Sequence, residues 1–210
     1  MTVATTIDKT AATADLFRLL AACYYEPDKK MLFEEDLFGQ LRKALELCQP
    51  EQADLADTMA SALAAAPDQD LLVDYAKLFI GPDALLAPPY GSIYLDKEKI
   101  LMGDSTMDVI ARYNESDFDL STEFKNAPDH IAAELEFLYL LCYNESLALA
   151  EQRDEDQARW HQRRQSFIDD HIGRWIESFC QNIREKSQFD YYRTLADLTG
   201  QVVTAQKSVA

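Results

Sequence analysis

Three residues near the middle of the chain have types and spacing that could support chemistry. In the stretch NAPDHIAAELEFLYLL, Asp129 directly precedes His130, and Glu134 follows four residues after the histidine. Residues four apart share one face of a helix, so the imidazole and the carboxylate could bind a metal or exchange a proton. A helical zinc site, however, needs a second histidine at this spacing, and His161 and His171 have no such spacing to His130. We therefore expect no metal here.

The same stretch is also typical of a helix start. Pro128 suits the first turn, where its missing N–H costs no hydrogen bond. Asp129 in that turn would interact favourably with the positive end of the helix dipole. Two other interpretations of this stretch therefore stay open, besides the disfavoured metal site. One is a plain helix cap with a surface His130, and the other is a binding surface formed by Asp129, His130 and Glu134.

No other part of the sequence carries a catalytic signature. GxxxxGK[ST], GxGxxG and GxSxG motifs are missing, so we expect no nucleotide cofactor and no serine nucleophile. His171 lies near an apolar stripe between Phe167 and Trp175, which favours a hydrogen-bonded structural histidine. Asp104, next to Gly103, is expected to cap a helix rather than leave its N–H groups free for a phosphate.

The overall charge limits the choice of partner. The formal net charge is −17, from 37 acidic and 20 basic residues. Nucleic acid and anionic membrane are disfavoured because phosphate binding needs clustered lysine and arginine. A basic partner would be attracted, although solubility alone also explains such a charge. The basic stretch RWHQRRQ, residues 159–165, is expected to be a solvated helix face with internal ion pairs.

Cysteine usage and the N-terminus indicate a cytoplasmic protein. No CxxC pair is present, and each cysteine has the apolar neighbours of a buried thiol in a reducing compartment. The N-terminal residues carry one lysine and no long apolar run, so we expect no secretory signal. No run of about 18 apolar residues exists, so we expect no stable membrane insertion. The cysteines are Cys23, Cys48, Cys142 and Cys180.

Apolar residues recur at helical spacing along most of the chain, and no strand pattern exceeds five residues. This periodicity predicts an all-α protein, a multi-helix bundle in a single domain over residues 1–210. From Pro128 the pattern is helical nearly to the end of the chain, and the last helix is predicted over 190–203. The earlier predicted helices cover residues 15–26, 31–48, 51–66, 68–81 and 104–116.

Two segments interrupt the helical pattern. Residues 81–103 contain three prolines and three glycines among apolar residues, which indicates either a functional loop or an irregular segment packed on the core. Residues 115–127 are acidic and lack a helical period. They could be a hinge between two closely joined halves, residues 1–114 and 128–210. Such a hinge would permit a homodimer by domain exchange.

Three separated stretches are similar to one known family. They are DYAKLFIGP with APPYGSIYLD and GDST, then APDHIAAELEFLYLL, and last FIDDHIGRWIESFCQNI with FDYYRTLADLT. In this order and at these separations, over roughly residues 10–205, the chain resembles the TorD/DmsD family of cytoplasmic molybdoenzyme chaperones. The resemblance implies an all-helical fold and no catalytic turnover.

The resemblance also implies a partner, the precursor of a molybdopterin oxidoreductase of the DMSO or TMAO reductase type. Such chaperones bind its twin-arginine leader and hold the apoprotein until cofactor is inserted. In this sequence Tyr90 stands where some members have tryptophan, and Asn126-Ala127 stands where many carry a Glu-Pro pair. The positions that match the leader-site motif are Leu78, Phe79, Pro89, Tyr90, Ser92, Gly103, Asp129 and His130.

The residues also suit this partner physically. A twin-arginine leader joins a cationic head to an apolar stretch. Tyr90 and Tyr94 could form the apolar wall of a groove, while Asp129 and Glu134 could pair with guanidinium groups. One alternative is a scaffolding protein that binds a folded partner without leader recognition. Another is a small helical metal-dependent hydrolase built on His130 and Glu134.

Overall fold

The helical periodicity predicts the observed architecture, a bundle of helices with no strand in the described residues. The computed structural model describes residues 3–81, 84–98 and 101–208. A 3-10 turn, Pro50–Gln52, precedes the fourth helix. The helices are α1 (Val3–Cys23), α2 (Lys29–Glu34), α3 (Leu37–Cys48), α4 (Ala53–Ala65), α5 (Asp68–Tyr75), α6 (Gly91–Leu95), α7 (Asp104–Glu115), α8 (Ile131–Ala150), α9 (Asp154–Phe167), α10 (Gly173–Lys186) and α11 (Asp190–Thr204).

Two π turns modify this helical pattern. Ala76–Ile80 extends α5, and Ile168–Ile172 joins α9 to α10 without a loop. Gly81, with φ of 105°, then ends the first of these turns in a conformation that favours glycine. Within the described residues, none of the helices has the length and apolar character needed to span a bilayer.

The prediction of one helix over residues 31–48 is wrong, because the chain breaks at Asp36. This residue adopts a left-handed conformation with φ of 49°, and it separates α2 from α3. The side chain of Asp28 begins α2 by accepting the N–H of Met31 at 3.0 Å. The apolar spacing continues through the break, so periodicity alone could not reveal it.

The two predicted halves share one hydrophobic core. Helix α1 packs along α8 and α3, while α4 packs on α11. The hydroxyl of Tyr24 on α1 donates to Thr199 Oγ1 on α11 at 3.0 Å. The hydroxyl of Tyr75 in turn donates to the carbonyl of Tyr24 at 3.3 Å. Helices on either side of the candidate hinge therefore bury their apolar faces against each other.

From residue 116 onward the candidate hinge lacks helix, as predicted, but it is not free of the core. Within this segment, the ring of Phe118 lies 4.8 Å from the ring of Tyr113 and 5.4 Å from that of Phe137. The backbone N–H of Phe118 also donates to the carbonyl of Tyr113 at 3.0 Å. This segment is therefore anchored at Phe118 to both α7 and α8.

The expectation of a fully solvated basic face on α9 is wrong at Arg164. This side chain is 10% exposed, and its Nε lies 2.8 Å from Oε2 of the buried Glu145 on α8. Its Nη1 donates to Gln206 Oε1 at 3.1 Å, beyond the end of α11. His161 contacts the same carboxylate at 2.9 Å through Nδ1. The basic stretch therefore ties α9 to α8 and to the C-terminal residues.

We expect Glu145→Ala to lower the free energy of unfolding by about 3 kcal/mol, because it leaves the buried Arg164 guanidinium unpaired. Glu151→Ala removes the same side chain from an exposed pair with Arg153, so its cost should stay below about 1 kcal/mol. Urea unfolding at pH 7 measures both. Equal losses in the two variants would contradict a structural role for the Glu145 pair.

Candidate functional site

The proline-rich loop meets the start of α8 through two backbone hydrogen bonds. The N–H of Gly91 donates to the carbonyl of Asp129 at 3.0 Å, and the N–H of Ile131 donates to the carbonyl of Pro89 at 2.8 Å. These bonds pair Tyr90 with His130 in an isolated antiparallel bridge. Two regions that the sequence analysis selected separately are thus brought together.

The prediction that Asp129 lies in the first turn of α8 is wrong, because Asp129 lies just before that turn. His130 occupies the N-cap position, and α8 begins at Ile131. The Asp129 carboxylate is fully buried, and its Oδ2 accepts the N–H of Ser92 at 2.8 Å. Its Oδ1 has no hydrogen-bond partner among the described residues. Buried polar atoms without partners are rare, which makes this oxygen a candidate binding group.

His130 is a buried cap, so the alternative of a surface histidine is wrong. Its Nδ1 accepts the N–H of Ala132 at 3.2 Å, which assigns the proton of the neutral ring to Nε2. The ring lies edge-on to Tyr90 at 5.3 Å and to Phe124 at 5.9 Å. Burial lowers the pKa of His130 to about 4, so the ring is neutral at pH 7.

Glu134 points into the protein and holds two side chains from the opposite helix. Its Oε1 lies 2.8 Å from His171 Nε2, and its Oε2 accepts the indole N–H of Trp175 at 3.2 Å. The Glu134 carboxyl group is fully buried, and His171 is 2% exposed. The prediction that His171 is a hydrogen-bonded structural histidine is confirmed.

The two partners have coupled proton affinities. Burial raises the pKa of Glu134, against the opposing effects of His171 and Trp175. Burial alone would lower the pKa of His171, but the Glu134 carboxylate outweighs it and raises that pKa. Both groups therefore bind a proton more tightly than they would in water, and the short contact between them holds a proton in place.

A π turn positions His171 for this contact. It covers Ile168–Ile172, and within it the N–H of Gly173 reaches back to the carbonyl of Ile168. His171 and Trp175 are four residues apart, so both side chains reach one face of the joined α9–α10 helix. Single π turns occur frequently at functional sites.

Gly91 is a site residue that the sequence analysis missed. A Cβ atom at this position would lie 3.1 Å from Glu134 Oε1, 3.1 Å from Trp175 Nε1 and 3.3 Å from His171 Nε2. The backbone of α6 therefore rests directly on the buried trio of Glu134, His171 and Trp175. A glycine inside a proline-rich loop is a weak signal of close backbone approach, and the distant helix that it contacts has no local signature.

The two predicted tyrosines flank this backbone. The hydroxyl of Tyr90 donates to Asn126 Oδ1 at 3.2 Å. The ring of Tyr94 stacks on Trp175 at 5.5 Å, and its hydroxyl accepts a hydrogen bond from Asn182 at 3.2 Å. Both tyrosines are partly exposed, which makes them the accessible members of the predicted set near the bridge.

The remaining predicted site residues serve as support. Leu78, Phe79 and Pro89 are buried, and Phe79 packs 6.1 Å from Phe179, which also contacts Tyr94 at 6.4 Å. Gly103 lies apart from the bridge, at the N-cap position of α7.

The expected cap of α7 by Asp104 is wrong. Asp96, at the end of α6, accepts the N–H of Ser105 at 3.3 Å instead. Its carboxylate also contacts the Ser105 hydroxyl. A capping residue from outside the helix sequence leaves no signal in the spacing of the helix itself.

Most polar side chains of the site are already engaged in hydrogen bonds. Among the described residues, no group of three or more histidine, cysteine, aspartate or glutamate side chains could hold a metal ion. The buried carboxylates and imidazoles bind one another, backbone N–H groups or an indole.

Comparison with known proteins identifies the family. A family model described as the nitrate reductase delta subunit matches residues 41–181. This chain belongs to that family. Its similarity to TorD and DmsD proteins confirms the resemblance drawn from the sequence.

Two relatives carry these names. The chaperone protein TorD of Aliivibrio fischeri is 29% identical over 75% of this chain and 73% of the relative. The Tat proofreading chaperone DmsD of Salmonella typhimurium is 24% identical over 71% of this chain and 66% of the relative. Among solved structures, a chain from Archaeoglobus fulgidus described as a redox enzyme maturation protein has a TM-score of 0.55 and 23% identity, over 91% of this chain and 93% of that one. This structural similarity confirms the all-α fold.

We expect Gly91→Ala to destabilise the protein by about 1–3 kcal/mol, because the added methyl group would crowd the buried carboxylate and indole. It should also change the fluorescence of Trp175. Gly200→Ala in α11 is the matched control, since its Cβ would meet Glu177 and Cys180 of α10 only at ordinary contact distances of 3.5 Å or more. That substitution should be neutral or stabilising by up to about 1 kcal/mol. Urea unfolding that shows equal effects would contradict the close approach at Gly91.

His130 should make the protein less stable as the pH falls from 6.5 to about 4. In this range the unfolded chain binds a proton at this residue and the folded chain does not, so folding becomes less favourable. The full pKa difference corresponds to about 3 kcal/mol. His130→Asn keeps a good N-cap without titrating, so it should lose less stability over the same range. Parallel losses in both proteins, measured by urea unfolding at pH 7 and pH 4.5, would contradict this.

Proposed function

We propose that this protein is a cytoplasmic maturation chaperone that binds the twin-arginine leader of a molybdopterin oxidoreductase precursor. The observation that carries the proposal is its family membership, with relatives named as TorD chaperones and Tat proofreading chaperones. In this role it holds the apoprotein until cofactor is inserted and then releases it for export. The protein binds and releases its client and changes no covalent bond.

The leader arginines bind at Asp129 in this proposal. A buried carboxylate oxygen without a partner is a strong acceptor for a guanidinium group, because hydrogen bonds to charged groups are stronger than neutral ones. The net charge of −17 attracts a cationic leader before contact. Glu134 takes a different part from the one predicted. Since both of its oxygens are occupied, it positions the loop and does not meet the leader directly.

Because Asp129 is fully buried, leader binding in this proposal requires the neighbouring chain to open. The segment before α8 covers His130 with Phe124, and Asn126 closes the gap to Tyr90 through a single hydrogen bond. Such a bond contributes about 0.5–1.5 kcal/mol, so leader binding can displace it. Tyr90 and Tyr94 then contact the apolar part of the leader.

Charge contributes only part of the affinity. Micromolar binding requires about −8 kcal/mol, whereas an ion pair at 4 Å contributes about 1–4 kcal/mol between bulk water and an effective dielectric of 20. Apolar contact with the tyrosines and the loop must therefore supply much of the remainder. A scaffolding protein that binds a folded partner would instead bind equally well with and without the leader.

Exchange of halves between two chains is part of the proposal as an assembly step. Residues 116–130 form the longest helix-free connection between described helices that has no masked position. Exchange through this segment would preserve the packing of α1 on α8, with the two helices coming from different chains.

The leader site is tested with a synthetic twin-arginine leader peptide of a DMSO-type reductase, and with the same peptide carrying two glutamines in place of the arginines. Calorimetric titration should show at least tenfold weaker binding of the second peptide. We expect Asp129→Asn to weaken binding of the first peptide about tenfold, because it removes the charge and keeps the acceptor for Ser92. Asp119→Asn removes the same charge from an exposed residue and should leave binding unchanged.

The outcomes separate the function from the site. Failure of the wild-type protein to bind either peptide would overturn the proposed function. Arginine-dependent binding that is identical in Asp129→Asn and wild type would keep the function and remove Asp129 from the site. Circular dichroism of the variants checks that helix content is unchanged.

A further inference from the structure

A tyrosine and a glutamate beside the candidate site make a contact that the leader site described above does not use. The hydroxyl of Tyr25, just after α1, donates to Oε1 of Glu136 on α8 at 2.7 Å. Tyr25 is 36% exposed, and Glu136 is partly exposed. The other two glutamates of α8, Glu134 and Glu145, lie beside basic side chains. Among the residues that the structure describes, Glu136 has no basic partner, so its charge is not neutralised.

Tyr25 holds the Glu136 carboxylate in place without removing its charge. Burial raises the pKa of Tyr25, and the neighbouring Glu136 raises it further, so the phenol stays protonated at pH 7 and remains a donor. The second oxygen, Oε2, accepts no hydrogen bond from the described part of the chain. A carboxylate that is fixed through one oxygen and open at the other is well placed to accept a hydrogen bond from a charged donor.

Glu136 lies close to Asp129, the residue proposed to bind a leader arginine. The two residues are seven positions apart at the start of α8, about two helical turns, which places them on one side and roughly 10 Å apart along the helix. The hydroxyl of Tyr113 donates to the carbonyl of Pro128 at 3.0 Å. Burial raises the pKa of this hydroxyl, and the charges of Asp129 and Glu136 raise it further. Both carboxylates therefore lie within electrostatic reach of one hydroxyl group.

Two consecutive arginines suit this separation. Neighbouring Cα atoms are ~3.8 Å apart, and successive side chains of an extended segment point to opposite sides. Their long side chains therefore hold the two guanidinium groups far enough apart for each to meet its own carboxylate. A site with Asp129 alone leaves one of the two arginines without an acidic partner.

Resting on the proposed leader function, we propose that Glu136 and Tyr25 form a second guanidinium subsite, which binds the first arginine of the pair while Asp129 binds the second. The order follows from the leader, whose cationic head precedes its apolar stretch. Tyr90, which contacts that stretch, lies beside Asp129 through its bridge to His130, whereas Glu136 lies farther along α8.

The two subsites also differ in access. Glu136 is partly exposed, whereas Asp129 is fully buried. The first arginine therefore meets Glu136 before the chain that covers Asp129 opens. An accessible charge acts mainly on the rate of encounter, and a buried charge acts mainly on the rate of release.

Three leader peptides test the subsite by calorimetry at low ionic strength. One carries both arginines, and each of the others carries glutamine in place of the first or of the second arginine. Glu136→Gln should weaken the peptide with both arginines about fivefold, since the subsite is partly exposed to solvent. It should weaken the peptide without the second arginine to the same extent and leave the peptide without the first arginine unchanged. This pattern is the coupling that a double-mutant cycle measures.

The outcomes separate this subsite from the leader function itself. If wild type binds no peptide, the leader function falls and the subsite with it. If binding depends on the arginines but Glu136→Gln matches wild type, the function stands and the subsite is overturned. Coupling of Glu136 to the second arginine in place of the first would overturn the proposed order.

Glu155→Gln is the matched control. It removes the same charge from an exposed residue in the first turn of α9, beyond the far end of α8, and should leave all three affinities unchanged. Equal weakening in the two variants would reduce the role of Glu136 to a general charge effect and overturn the subsite. Circular dichroism checks that both variants keep their helix content.

Stopped-flow kinetics test the order of contact. Glu136→Gln should lower the association rate constant of the peptide with both arginines and reduce its dependence on salt. Asp129→Asn should chiefly raise the dissociation rate constant. A change in Glu136→Gln that is confined to dissociation would overturn the role of this residue in the first contact.

Discussion

The buried contact of Glu134 with His171 and Trp175 is the interaction on which the candidate site depends. It joins α8 to the α9–α10 helix at one fully buried carboxylate. Removing one member of such a pair costs about 3–5 kcal/mol, because the remaining group is left buried without a partner. Since the backbone of Gly91 packs on the same three side chains, the contact also fixes the position of the proline-rich loop relative to the core.

Each part of the site is therefore positioned by a more deeply buried part. The buried trio holds α6, and α6 presents the N–H of Ser92 to Asp129. The bridge between Tyr90 and His130 then places the loop beside the start of α8. In this arrangement most polar groups hold the backbone, and Asp129 Oδ1 has no hydrogen-bond partner among the described residues. The proposed recognition of a cationic leader makes use of this oxygen.

Sequence reasoning predicted most of the helices, but not the contacts between them. Periodicity gave the helical class and most helix positions, because apolar spacing reports which face is buried. It could not detect the left-handed Asp36, which interrupts a helix without changing that spacing. The pairing of Glu134 with His171 spans 37 residues, and no local pattern encodes such a distance. Arg164 was misjudged for the same reason, since its partner Glu145 lies on a different helix.

The shared core also has a consequence for synthesis of the chain. Tyr24 finds its partner Thr199 only 175 residues later, which takes about 9–35 s at roughly 5–20 residues per second. Until α8 and α11 leave the ribosome, the parts of α1 and α4 that pack on these two helices stay uncovered. Folding of this core is thus delayed until α11 has been synthesised, and a chaperone of this architecture must itself pass through a long unprotected stage.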